Sequence, residues 1–102
     1  MEFNKLVRDR IPAIIEAGGE RPVTRILNDE EYLRCLEQKL DEETAEYHEG
    51  KNLEELADIL EVVYALASSI GCSREELQEI YQKKHDARGG FAEKILLISS
   101  EK

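Results

Sequence analysis

Five carboxylates in two short groups carry the chemistry of this chain: Glu42, Glu43 and Glu46 in EETAE, then Glu55 and Asp58 in ELAD. Each group falls inside a stretch whose leucines mark a burying helix face. An ionised carboxylate is costly to take out of water unless it is paired or bound to a metal. Well-placed cations are too few to pair all five. A hard divalent cation with oxygen ligands, Mg²⁺ or Mn²⁺ in its place, fits such a set and brings phosphates with it.

The elements that position these acids follow from capping and periodicity. Asn28/Glu31, Asn52/Glu55 and Ser73/Glu76 each place a capping residue three positions before a glutamate, close to the capping-box pattern. Gly50, Gly71 and the Gly89-Gly90 pair supply stops, because glycine tolerates the left-handed conformation that ends helices. Long helices are predicted over 29–49, 53–70 and 74–88. A shorter one is predicted over 6–17, where Pro12 marks a kink or a restart. Residues 22–27 (PVTRIL) are β-branched and alternating and read as a strand; the tail, 91–99 with its ILLIS, reads as a strand that can pair with it.

Leu33, Leu36, Leu40 and Tyr47 form one stripe of the second helix, and Glu43 takes the place on it where another leucine is expected. Glu46 flanks that stripe, while Glu42 points mostly away. The third helix is apolar on two sides: Leu53, Leu56, Leu60, Val63, Ala67 and Ile70 on one, Ile59, Val62 and Leu66 on the other. Glu55 and Asp58 occupy the first turn of that second side. The short turn at Gly50 folds the two helices antiparallel, so the four inward or flanking acids converge. The fourth helix carries Leu77, Tyr81, Lys84 and Arg88 on one stripe, the cations at its C-terminal end, where they can meet helix carbonyls or phosphates.

Composition narrows the function classes. A chain of 102 residues is one domain, small enough that association with copies of itself is expected. The second side of the third helix is the face expected to meet another subunit, as a homodimer or homotetramer. A net charge of −9 argues against a nucleic-acid polymer as partner, which requires Lys and Arg at phosphates, but not against a nucleotide that arrives with metal ions. Cys35 and Cys72 lack any ligand spacing, the first residues carry no apolar signal run, and no stretch suits a membrane span. A reducing cytoplasm is the expected compartment. His48, His85 and the four tyrosines fit surface or core positions without a cofactor.

Ordinary structural alternatives stand beside the metal reading. Glu43 can be half of a buried ion pair, Glu55 can complete the cap on Asn52, Asp58 can be solvated or paired, and Glu42 can be a surface residue.

With these residues in view, the chain resembles the all-α nucleoside triphosphate pyrophosphohydrolases, the MazG-like superfamily. Their EExxE and ExxD pattern matches Glu42 to Glu46 and Glu55 to Asp58. Within that superfamily, NKLVRDRIP (4–12), PVTRIL and KKHDARGGF (83–91) are similar to a small phosphoribosyl-ATP-pyrophosphohydrolase-like group. The acidic groups stand eight residues apart (47–54), about two helical turns closer than is usual there. The resemblance implies a helical bundle with short extended edges that hydrolyses a nucleoside triphosphate, or a phosphoribosyl nucleotide, to monophosphate and pyrophosphate. It implies Glu43, Glu46, Glu55 and Asp58 as Mg²⁺ ligands and Glu42 or Glu46 as the residue that orients or deprotonates water. Lys84 and Arg88, with Lys5 and Arg8 as weaker candidates, are implied at the phosphates. The rival reading is a non-catalytic oligomerisation or regulatory module with an acidic metal-binding patch.

Overall fold

The computed structural model describes residues 4–102, in which four helices follow one another: α1 (Ile11–Ala17), α2 (Asp29–Gly50), α3 (Leu53–Ser69) and α4 (Arg74–Arg88). The fold is all-α. The first helix is shorter than predicted, because Pro12 starts it instead of kinking it. Proline lacks the N–H that a helix interior needs but loses nothing in a first turn, where that N–H has no partner, so the helix begins at Ile11–Pro12 and residues 4–10 stay irregular.

All three predicted caps form. Asn28 accepts from the Glu31 N–H while Glu31 reaches back to the Asn28 N–H, a complete capping box. Arg25 adds two hydrogen bonds to Glu31, at 3.1 and 2.8 Å, and so moors the preceding segment to the start of α2. Asn52 and Ser73 each accept the N–H three residues on. Gly71 and Gly89 have the positive φ expected of helix stops. Gly50 does not: it is still helical, and Lys51 takes the left-handed position at φ 52°. What Gly50 provides is a close approach, since a Cβ there would lie 3.1 Å from Asn52 Nδ2 and 3.5 Å from Glu55 Cγ.

α2 and α3 form the packed centre. Leu36 of α2 and Val62 and Ala67 of α3 are buried, together with Glu43. The predicted α2 stripe therefore faces the core. On α3, Ile59, Val62 and Leu66 are sheltered whereas Leu53, Leu56, Leu60 and Ile70 are exposed. The side expected to face another subunit, Ile59–Val62–Leu66, is thus the more sheltered one, while on the opposite side Leu53, Leu56 and Leu60 are exposed and Val63 and Ala67 are covered. The chain then turns by 108° into α4, which touches α3 alone among the helices. The Tyr64 hydroxyl accepts from Gln78 at 2.9 Å and the Arg74 guanidinium lies 4.4 Å above the Tyr64 ring, joining the two.

The strands expected over 22–27 and in the tail do not form. A lone strand has unpaired backbone groups on both edges and needs a neighbour, and no sheet edge exists among the described residues. Val23, Ile26 and Ile95 to Ile98 remain in water.

Candidate metal centre

The α2–α3 hairpin brings the two acidic groups together at the end where α2 finishes and α3 begins. Carboxylate oxygens of Glu42, Glu43 and Glu46 lie within 4.8 Å of one another, and so do those of Glu43, Glu55 and Asp58. Glu43 belongs to both groups. Oxygens around one Mg²⁺ at about 2.1 Å stand about 3 to 4 Å apart, so small side-chain rotations suffice to close either group on a cation.

Glu43 takes the leucine-like place on its stripe, and its side chain is only 10% exposed. Its Oε1 lies 3.7 Å from Lys39 Nζ, an ion pair too long for a hydrogen bond, and its Oε2 has no partner. Glu55 presents a second buried and unpartnered oxygen, Oε2. Its backbone N–H bonds to Asn52, but its carboxylate does not complete the box; it turns toward the cluster. Burial, followed by the neighbouring Glu46 charge, pushes the Glu43 carboxyl above its ordinary range. Burial, then Glu46 and Asp58, does the same for Glu55. Two orphaned carboxylate oxygens and two raised carboxyls, all hard oxygen donors, are features that a divalent cation would satisfy together.

Two of the remaining acids hold local cations. Arg8 Nη2 donates to Asp58 Oδ1 at 2.6 Å, across fifty positions of sequence. Glu42 sits 3.7 Å from both Lys5 and Lys39. Glu46 is exposed and has no ion pair among the described residues. The irregular segment before α1 thus lies across the mouth of the cluster, with Lys5 and Arg8 on two of its acids. Lys84 and Arg88 are exposed, and α4 does not reach α2. The order of the cations is accordingly the reverse of the sequence expectation: Arg8 and Lys5 are at the site, and Lys84 and Arg88 stand apart from it within the chain. A stripe on one helix says which side a residue is on but not how sharply the preceding turn swings that helix away. Lys39 is the contributor that sequence reasoning missed, although its spacing of three and four to Glu42 and Glu43 announces it.

No family model matches the chain, and no solved structure matches it. Over 42 residues it is 60% identical to an uncharacterised protein of Mycolicibacterium smegmatis, a match that covers 41% of this chain and 43% of that protein. Among the described residues no single helix is long and apolar enough to cross a membrane.

Proposed function

We propose that this chain is a Mg²⁺-dependent nucleoside triphosphate pyrophosphohydrolase of the cytoplasm, converting a nucleoside triphosphate or phosphoribosyl nucleotide and water to the monophosphate and pyrophosphate, and working as a homo-oligomer. The observation that carries this reading is Glu43: nine-tenths buried, with an unpartnered oxygen, among four further carboxylates in the seam between two helices. The EExxE and ExxD resemblance joins that geometry to a reaction.

Glu43, Glu46, Glu55 and Asp58 would hold the cation, with Mn²⁺ able to replace Mg²⁺. When bound, it offsets phosphate charge and lowers the pKa of water. Glu46, at the exposed rim and free of the lysines that occupy Glu42, is the better placed of the two to orient a water or take its proton. Arg8 and Lys5 provide positive charge at the mouth, where a polyphosphate needs it in the transition state. The water oxygen bonds to phosphorus, the α–β anhydride bond breaks, and pyrophosphate leaves with the bridging electron pair.

The test is a panel of nucleotides incubated with Mg²⁺ and scored for pyrophosphate, with Asp58→Asn as control. Pyrophosphate from the wild type alone supports the reading. Orthophosphate as first product points to γ-phosphate hydrolysis. Metal binding without turnover on any triphosphate favours the non-catalytic module.

A further inference from the structure

A compact folded chain of this mass, 11.7 kDa, exposes about 5,900 Å², whereas this one exposes 9513 Å². Its radius of gyration is 18.2 Å, against about 13 Å for a compact domain of its length. The surplus surface, about 3,600 Å², exceeds what each partner contributes to an obligate interface, about 1,000 to 2,500 Å². The surplus is also concentrated. Leu53, Leu56 and Leu60 are exposed on the outer side of α3, Ile70 just beyond its end, and Ile80 and Tyr81 on α4. Beyond α4, Phe91 and Ile95 to Ile98 are 78 to 99% exposed.

Two of these features complement one another. Between α3 and α4 runs a groove of about 430 Å³, walled by Leu60, Val63 and Tyr64 on one side and Leu77 and Tyr81 on the other. A cavity of about 150 Å³ accommodates a benzene ring, so this groove has room for several aliphatic side chains. The tail offers four consecutive large apolar residues. In an extended segment alternate residues point to opposite faces, so a run apolar at every position is suited to cover on both sides, as in a strand buried within a sheet. The described residues leave these four 78 to 90% exposed.

We infer that a second copy of this chain completes the outer half of the molecule, with residues 91–98 of each copy seated in the α3–α4 groove of the other. The occupant is a second copy because the same chain supplies a bare groove, a bare apolar segment and more surplus surface than a stable dimer needs. The exchange covers the apolar face of α3 that α2 leaves open and leaves the acidic seam free. It stands independently of the enzymatic reading.

The experiment reads mass rather than turnover. Wild type is weighed by sedimentation equilibrium at micromolar concentration beside a chain ending at Gly90 and a full-length Leu97→Asp variant. The expected result is a dimer or a multiple of it for the wild type, and monomers with unchanged helix content by circular dichroism for both variants. A monomeric wild type, or variants that keep their helices and their dimer, overturns the proposal. Should the variants lose their helices, cross-linking decides. Leu97→Cys and Gln78→Cys chains, each carrying Cys35→Ser and Cys72→Ser, are mixed and oxidised. A disulfide joining one chain of each kind is expected; its absence overturns the exchange, and a disulfide closed within single Leu97→Cys/Gln78→Cys chains would seat the tail in its own groove instead.

Discussion

The two halves of this molecule are unfinished in opposite ways. The α2–α3 hairpin holds the buried residues but gathers five carboxylates around three cations, Lys5, Arg8 and Lys39. The α4 and tail half shows no such clustering of carboxylates among the described residues but leaves its apolar residues in water. Each deficiency defines its complement. A crowd of carboxylates around a buried one calls for a cation, whereas bare hydrocarbon calls for another apolar surface. The contrast separates the reading of this chain into a chemical half and an associative half that substitutions can test one at a time.

The largest effect is expected from Asp58→Asn. It removes one charge from the carboxylate group and turns the charge-assisted Arg8 hydrogen bond into a neutral one at once, and turnover should fall by about a hundredfold or more. Sedimentation should be unchanged, since Asp58 lies on the inner half. A shift in mass without loss of turnover would erase the division between the halves.

The cations sharpen it. Arg8→Ala should lower turnover by about ten- to a hundredfold by weakening charge stabilisation at the mouth. Arg88→Ala should lower it by less than about threefold, because α4 makes no contact with α2 and an exposed charge away from the site is screened by salt. Helix content should stay constant in both. A larger loss for Arg88→Ala would mean that its guanidinium reaches the site from a second copy.

Part of this arrangement was legible in the sequence and part was not. Glu43 in a leucine place, the three capping signatures and the short Lys51–Asn52 link were enough to put the acids in one seam, because helix periodicity and chain reversal are local properties. Local signals also placed Pro12 and the glycines near helix ends, though not which side of each boundary they take. Lys84 and Arg88 depended on the 108° turn between α3 and α4, which no short-range pattern encodes. The strands over 22–27 and in the tail failed for the same reason: β-propensity marks a segment that can pair, and only the tertiary arrangement supplies a partner. The covered side of α3 was likewise undecidable from a helix that is apolar on two sides.

Acidity gives a smaller effect, with a sign that identifies its source. The folded state raises the Glu43 and Glu55 carboxyls above their unfolded values. The folded state therefore binds these protons more readily than the unfolded one, so stability falls as pH rises through the raised values and returns as pH falls. Metal-free protein should melt at higher temperature on moderate acidification from neutrality. Glu31 opposes this at lower pH. Its carboxyl is held at about 2 by Arg25 and the Asn28 N–H, against an ordinary 4.5, so its contribution is lost between those values. Melting curves followed by circular dichroism in chelator should thus pass through a maximum on the acid side of neutrality. With metal present the inner half should lose stability as pH falls, since protons compete for the ligands.

Smallest is the cap. Asn52→Ala removes the acceptor of the Glu55 N–H and should cost about 1 kcal/mol of unfolding free energy in a urea titration. It should also weaken metal binding modestly, because the first turn of α3 carries both Glu55 and Asp58.

The central claim is that Glu43 is buried to hold a cation. Thermal unfolding of wild type and Glu43→Gln, each in chelator and in Mg²⁺, tests it most directly. The account predicts that Mg²⁺ raises the wild-type melting temperature and leaves that of Glu43→Gln unmoved. In chelator the variant should equal or exceed the wild type, because repulsion among the acids is relieved. A variant destabilised by about 3 to 5 kcal/mol in chelator, with its response to Mg²⁺ intact, is the signature of a broken buried ion pair with Lys39 and would contradict the account.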